Sequence, residues 1–241
     1  PTVSSIAITS ASGIQNSRLN AGDTVSVTVS MSEATTVTGT PQLALNIGGT
    51  TVYASYASGS GTSSLVFTYT ILSSQTDTNG ISIDANSLSL NSGTLKDAAG
   101  NDATLTHSAV TDNASYMVDT TAPTVSSIAI TSASGIQNSR LNAGDTVSVT
   151  VSMSEATTVT GTPQLALNIG GTTVYASYAS GSGTSSLVFT YTILSSQTDT
   201  NGISIDANSL SLNSGTLKDA AGNDATLTHS AVTDNASYMV D

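Results

Sequence analysis

The chain lacks cysteine and tryptophan altogether, and it contains only two phenylalanines and eight tyrosines in 241 residues. Without cysteine it forms no disulfides, a common means of stabilising small extracellular domains. The same absence, together with only two histidines, argues against zinc and copper sites, which need thiolate or imidazole ligands. With so few aromatic side chains to bury, the core must consist mainly of valine, isoleucine, leucine and alanine.

Basic residues are also scarce. The chain has four lysines and arginines in total and sixteen aspartates and glutamates, which gives a formal net charge of -12. Binding to nucleic acid needs clustered lysine and arginine, so we expect no nucleic-acid partner. Anionic membranes are disfavoured for the same reason, and no apolar run is long enough to span a bilayer. The composition is compatible with the binding of cations.

A perfect internal repeat organises the sequence. Residues 1–119 and 123–241 are identical, with a period of 122 residues, and only Thr120, Thr121 and Ala122 separate them. A period of this length matches a domain with its own core rather than a solenoid unit. The sequence therefore predicts two tandem identical domains, 1–119 and 123–241, joined by a linker at 120–122. An exact copy lengthens a spacer but adds little to an enzyme, so we expect no enzymatic activity and no small-molecule substrate.

Strict alternation of apolar and polar residues predicts an all-β fold. Between Thr24 and Met31, every second residue is valine or methionine and the residues between are serine or threonine, as in a half-buried strand. Glycine- and asparagine-rich turns separate the strands, and no segment keeps a helical period. An Ig-like antiparallel β-sandwich follows. The predicted strands of the first copy are 4–9, 24–31, 42–47, 51–56, 64–71, 81–83, 88–90, 104–106 and 116–118.

Most of the acidic residues fall at strand ends and in loops. In an Ig-like topology, Glu33 at the end of the second strand should lie at the pole where the chain enters, together with the turn from Lys96 to Asp102. Asp23 and the loop at 76–80 should lie at the opposite pole, near Asp119. Where the first copy is followed by the second, this pattern predicts that Asp119 faces Glu155 and Asp219.

Several carboxylates brought together need a counter-charge, and a hard cation with oxygen ligands provides one. Calcium accepts carboxylate, amide and backbone oxygens in loose geometry, whereas magnesium requires a stricter octahedron. We therefore predict Ca2+ sites. The alternative for each residue is a solvated turn or strand end in which aspartate and asparagine cap their own backbone. The predicted metal ligands are Asp119, Glu155, Asp219, Asn223, Asp23, Asp77, Glu33, Asp97, Asn101, Asp145, Asp199 and Asp241.

Five parts of the repeat carry a family resemblance. In the first copy they are residues 21–33, 39–45, 59–62 ahead of 65–67, 96–101 and 118–123. Together they resemble the bacterial Ig-like tandem repeat found in the extender region of calcium-dependent RTX adhesins, including marine and ice-binding adhesins. The resemblance covers essentially the whole of each copy.

The resemblance implies a role as well as a fold. Such repeats form long arrays, exported by type I secretion to the bacterial cell surface, that project terminal ligand-binding domains in adhesion and biofilm formation. Calcium in and between the modules stiffens the rod. Carried over, Asp119 matches the linker acid, Glu155 the acid that closes the second strand, and Asp219 and Asn223 the Asp-Ala-Ala-Gly-Asn turn. The glycine-rich nonapeptide of the RTX β-roll is absent, so the resemblance is to the extender and not to the secretion-signal region.

Other functions stay open at the level of sequence. Tyr53 and Tyr56, with the hydroxyl-rich strand faces, could form an adhesive surface for glycans or a partner protein. His107 is expected to be an exposed histidine without a special role, and Lys96 a surface lysine rather than a cross-linking one. We expect the chain to be monomeric, extracellular, and in contact chiefly with neighbouring repeats of its own chain.

Overall fold

The computed structural model describes all 241 residues. The chain divides into two compact units, Pro1–Thr121 and Ala122–Asp241. Relative to the predicted boundaries, Thr120 and Thr121 belong with the first unit. Each unit is a β-sandwich-like domain, so the predicted all-β class is confirmed.

Ten strands and one short 3-10 helix make up the first unit. The strands are β1 (Val3–Ser12), β2 (Arg18–Leu19), β3 (Thr24–Thr38), β4 (Gln42–Ile47), β5 (Thr50–Ser58), β6 (Thr62–Thr70), β7 (Thr76–Asp77), β8 (Leu88–Ser89), β9 (Thr94–Lys96) and β10 (Met117–Asp119). The helical turn covers Ala114–Tyr116.

The first unit contains one large sheet and one small sheet. The large sheet has the strand order β1-β3-β6-β5-β4-β8, with β9 paired to the far half of β3. The small sheet has the order β2-β10-β7. All pairs are antiparallel except β10 with β2, which is parallel; this pair departs from the predicted antiparallel arrangement.

The second unit repeats this architecture. Its strands are β11 (Val125–Ser134), β12 (Arg140–Leu141), β13 (Thr146–Thr160), β14 (Gln164–Ile169), β15 (Thr172–Ser180), β16 (Thr184–Thr192), β17 (Leu210–Ser211), β18 (Thr216–Lys218) and β19 (Met239–Val240). The equivalent of β7 is reduced to a single bridge between Asp199 and Val240.

The alternating pattern places the core as the sequence predicts. In β3, Val25, Val27 and Val29 are fully buried and Met31 is nearly so. Phe67 of β6 is fully buried opposite Val27, and its ring meets that of Tyr56 edge-on at a centroid distance of 5.8 Å. Burial of these side chains contributes on the order of 25 cal/mol per Å² of apolar surface.

Several predicted strands differ from the structure, and three differ beyond their ends. β3 continues past Met31 to Thr38 after an irregularity in its pairing with β6 between Ser30 and Thr35, so that its last three residues pair with β9, a strand that the sequence did not predict. Residues 104–106 were expected to form a strand but make only one bridge, between Thr104 and Thr2. Residues 81–83 make isolated bridges through Ser82 and Ile83, because each pairs with a different segment.

Candidate functional site

The turn from Asp97 to Asn101 is closed by its own aspartate. Asp97 Oδ1 accepts hydrogen bonds from the backbone N–H groups of Ala99 (2.9 Å) and Asn101 (2.8 Å). Its other oxygen accepts from Asn101 Nδ2 at 2.7 Å. The Asn101 side chain is thereby oriented with its nitrogen toward Asp97, and its amide oxygen is the atom that could serve as a metal ligand.

These bonds fix the charge of Asp97. The Asn101 side-chain amide, followed by the Asn101 backbone N–H, holds the pKa of the Asp97 carboxyl below its ordinary value of 3.8. The Ala99 N–H acts in the same direction, and desolvation opposes these hydrogen bonds. Hydrogen bonds to a carboxylate favour its ionised form, so Asp97 is an anion at neutral pH.

Glu33 lies beside the point at which the chain enters the first unit. The Pro1 nitrogen lies 3.2 Å from Glu33 Oε1. The carbonyl of Pro1 accepts a hydrogen bond from Thr104 N at 2.9 Å, a few residues after the Asp97 turn. Glu33, the Asp97 turn and the entering chain therefore share one pole of the unit, as the strand order predicts.

The same elements recur in the second unit, where two carboxylates meet. Asp219 accepts from Ala221 N, Asn223 N and Asn223 Nδ2 at 2.8–2.9 Å. Oxygens of Glu155 and Asp219 lie within 4.8 Å of one another. The entering chain is anchored here as well, because Thr226 N donates to the Pro123 carbonyl at 2.8 Å and Thr124 N to Ser154 Oγ at 2.9 Å.

Asp119 ends the last strand of the first unit at the opposite pole. β10 pairs with β7 there, with Asp119 opposite Thr76. Asp119 Oδ1 accepts from Thr121 N at 3.1 Å, and Thr120 Oγ1 donates to the Gln75 carbonyl at 2.9 Å. Thr120 and Thr121 of the predicted linker are thus held by the first unit.

Asp77 and its equivalent Asp199 are turn-forming residues with both oxygens engaged. Asp77 is only 4% exposed. Its oxygens accept from the backbone N–H groups of Gly48 (2.8 Å), Asn79 (3.2 Å) and Gly80 (2.8 Å). Asp199 makes the same three bonds. These bonds match the alternative in which the aspartate caps its own backbone.

Asp23, Asp145 and Asp241 are the remaining predicted ligands. Asp23 Oδ2 accepts from Asn20 N at 2.8 Å, and Asp145 Oδ2 from Asn142 N at 2.7 Å, so both close the turn ahead of a long strand. Asp241 forms an ion pair with Arg140 at 3.8 Å. None of these three belongs to a group of three or more acidic or histidine side chains at metal-ligand distance.

His107 has a structural role that the sequence did not predict. Its Nε2 accepts a hydrogen bond from Ser87 N at 2.9 Å, and its Nδ1 contacts the Ser108 carbonyl at 2.9 Å. The imidazole therefore joins residues 86–88 to 107–108, and the expectation of an exposed histidine without a role was wrong. It borders a shallow groove of about 520 Å³ between 3–6 and 106–110.

No helix in the chain has the length and apolarity that crossing a membrane requires.

No protein-family model and no curated protein sequence matches the chain. Among solved structures, the chain is similar to one described in work on the host cell surface retention of a 1.5-MDa bacterial ice-binding adhesin. The sequences are 16% identical, the TM-score is 0.42, and the match covers 100% of this chain but 66% of the other. A likeness at this level does not establish a shared family, so the resemblance to RTX adhesin extenders stays a prediction.

Proposed function

We propose that the chain is a structural extender, in which calcium held near the joint of successive copies stiffens a rod. The observation that carries this proposal is the pair of carboxylates, Glu155 and Asp219, within 4.8 Å of one another beside the start of the second copy. Two like charges about 4 Å apart repel by roughly 1 kcal/mol in water and by more where water is displaced. A bound cation would turn this repulsion into attraction.

The lysine next to this pair is engaged by another carboxylate. Lys218 directly precedes Asp219, but its ammonium group lies 2.7 Å from Asp224 Oδ1 and also donates to the Gly222 carbonyl. The two donors at the pole are thus hard, anionic oxygens, with the Asn223 amide oxygen as a neutral one. This donor set fits calcium better than zinc or copper.

Chain length supports Asp119 as the third carboxylate. Pro123, which is anchored beside Ser154 and Thr226, follows Asp119 by four residues. Four residues span at most about 14 Å when fully extended. Thr120 and Thr121 are held by the first unit, which leaves little slack between Asp119 and Pro123. The proposed site therefore consists of Asp119, Glu155 and Asp219, with Asn223 as a further ligand.

An extender of this kind would work outside the cell. Extracellular calcium modules bind their ion at roughly 10⁻⁴–10⁻³ M, a range that leaves the site empty in the cytosol and occupied in a calcium-rich medium. The proposed setting is a bacterial cell-surface adhesin exported by type I secretion. Its partners would be neighbouring repeats of the same chain, and terminal domains would bind the ligand.

A glycan- or protein-binding module is the second candidate, and the structure offers it less support. Sugar-binding surfaces use exposed aromatic platforms. Tyr53 is 56% exposed, but Tyr56 packs on Phe67, and its hydroxyl oxygen accepts a hydrogen bond from Ser60 N. One largely exposed tyrosine on each copy is a small platform.

The test compares Glu155→Gln with Glu33→Gln. The two residues have identical sequence surroundings, but only Glu155 follows another copy. At about 10 mM calcium, well above the expected Kd, binding should stabilise the second unit by about 1–3 kcal/mol. We expect calcium to raise the melting temperature of the unsubstituted chain and of Glu33→Gln, and to raise that of Glu155→Gln much less.

X-ray scattering of the same three proteins, with calcium and with chelator, tests the rod. Calcium should extend and stiffen the unsubstituted chain and Glu33→Gln only. If chelator changes neither the melting temperature nor the scattering of the unsubstituted chain, the proposal is wrong. If Glu155→Gln responds to calcium as Glu33→Gln does, the ion binds elsewhere.

A further inference from the structure

Each copy contains one asparagine followed by glycine, Asn79-Gly80 and Asn201-Gly202. Asparagine is among the thermally labile residues of proteins, and a following glycine removes the side chain that would hinder its decay. In that decay the backbone nitrogen of the glycine attacks the side-chain carbonyl carbon of the asparagine. A new N–C bond closes a succinimide ring, ammonia leaves, and water then opens the ring to aspartate or isoaspartate.

The fold requires the glycine at this position. Gly80 has a φ of +100°, a backbone conformation that residues with a Cβ avoid. A Cβ at Gly80 would also lie 2.0 Å from the carbonyl oxygen of Asn113. The fold therefore does not tolerate replacement of Gly80, and any protection of Asn79 from deamidation must come from the residues around it.

The attacking nitrogen is held by a buried carboxylate. Gly80 N donates to Asp77 Oδ1 at 2.8 Å, and Asp77 is 4% exposed. The nitrogen must lose its proton to attack, and an amide anion beside a carboxylate would lose a charge-assisted hydrogen bond and gain a repulsion. The other Asp77 oxygen accepts from Gly48 N at 2.8 Å, which fixes the carboxylate in place.

The asparagine side chain is held from a second direction. Asn79 Nδ2 donates a hydrogen bond to Asp112 Oδ2, so the group that would leave as ammonia is tied to a different segment of the unit. The second copy repeats both contacts, with Asp199 on Gly202 and Asp234 on Asn201.

We propose that Asp77 and Asp112, and their equivalents Asp199 and Asp234, form a clamp that suppresses deamidation at Asn79 and Asn201 in the folded protein. Deamidation at these sites then requires local opening of the clamp. Asp77 acts on the attacking nitrogen, and Asp112 holds the side chain that is attacked.

The first test places Asp77→Ser in the first copy only, so that the second copy is an internal reference. After incubation at mildly alkaline pH, tryptic peptides 19–96 and 141–218 differ by the substitution and can be quantified separately by mass spectrometry. We expect Asn79 to deamidate on the order of tenfold faster than Asn201 in the same chain, the factor that loss of one charge-assisted hydrogen bond gives. Asp84→Ser, an exposed acid of the same copy, is the matched control and should leave the two rates equal.

Because Asp77 is buried, its substitution could unfold the first copy, and circular dichroism establishes whether it does. If it does, a comparison of two double variants decides instead. One carries Asp112→Ser and Asp234→Ser, both exposed, and the other carries Asp84→Ser and Asp206→Ser. Deamidation at Asn79 and Asn201 that is faster in the Asp112/Asp234 variant, and not in the Asp84/Asp206 variant, supports the clamp. The proposal is overturned if the folded unsubstituted chain deamidates at Asn79 and Asn201 together as fast as the chain in denaturant. Equal rates at Asn79 and Asn201 in a folded Asp77→Ser chain, or equal rates in the two double variants, overturn it as well.

Discussion

At the scale of single residues, the acidic side chains of this chain divide by what they bond to. Asp77 is buried and bonds three backbone N–H groups, whereas Asp97 closes an exposed turn together with Asn101. The Asp97 turn was predictable because its partner lies four residues away in the sequence. The role of Asp77 was not, because one of its donors, Gly48, lies 29 residues away and is brought near only by the tertiary fold.

Replacing Asn101 should change the titration of Asp97. The Asn101 side-chain amide is the main cause of the lowered pKa, so Asn101→Ala should raise the Asp97 pKa toward 3.8. Because the folded-state pKa is lowered, the stabilisation is present above the unfolded value of about 3.8–3.9 and is lost as the pH falls through the folded value. NMR titration of the Asp97 carboxyl carbon measures the shift. Asn223→Ala, the same change in the second copy, should leave the Asp97 pKa unaltered.

At the scale of secondary-structure elements, periodicity predicted the long strands and missed the short ones. β3 alternates strictly from Thr24 to Met31, and its inward residues are buried there as expected. In β6, Leu65 and Phe67 are buried in the same alternating pattern. β9 has only three residues, and it forms because β3 runs past Glu33 and presents Thr36 to Thr38 as a partner. No periodicity can be read in three residues, so a pairing of this kind depends on where a distant strand continues.

Truncating the aromatic centre of the first unit should affect that unit alone. Phe67 is fully buried and meets Tyr56 edge-on, so Phe67→Ala should lower the free energy of unfolding of the first unit by about 3–5 kcal/mol. Tyr53→Ala, on the exposed face of β5, should cost far less. Denaturant unfolding with segment-resolved hydrogen exchange distinguishes the two units. A loss of protection in the second unit that equals the loss in the first would contradict independent folding of the copies.

At the scale of the whole molecule, the dominant property is a net charge of -12 with four basic side chains to offset it. General screening by salt and specific binding of calcium would both reduce the repulsion between the acidic side chains. They differ in how they depend on concentration. Screening grows with ionic strength through the Debye length, whereas a site fills at a defined concentration.

This difference gives a test at the same scale. At equal ionic strength, sodium chloride should raise the melting temperature only slightly. Calcium chloride should raise it further once its concentration passes a Kd of roughly 10⁻⁴–10⁻³ M, and above that Kd the rise should follow the logarithm of the calcium concentration. Calorimetry across both titrations measures the effect. Coincident curves for the two salts would mean that screening alone accounts for the response and that the sites are not specific for calcium.

The position of the first and last strands has a mechanical consequence. β1 begins at the pole where the chain enters, and its pairing with β3 extends along almost its whole length. β10 ends at the opposite pole beside β7 and parallel to β2. A pull on the two ends of a unit therefore acts along these strands and loads their hydrogen bonds in shear, so that many must break together. In the proposed rod, each copy would add this resistance to a pull along the chain.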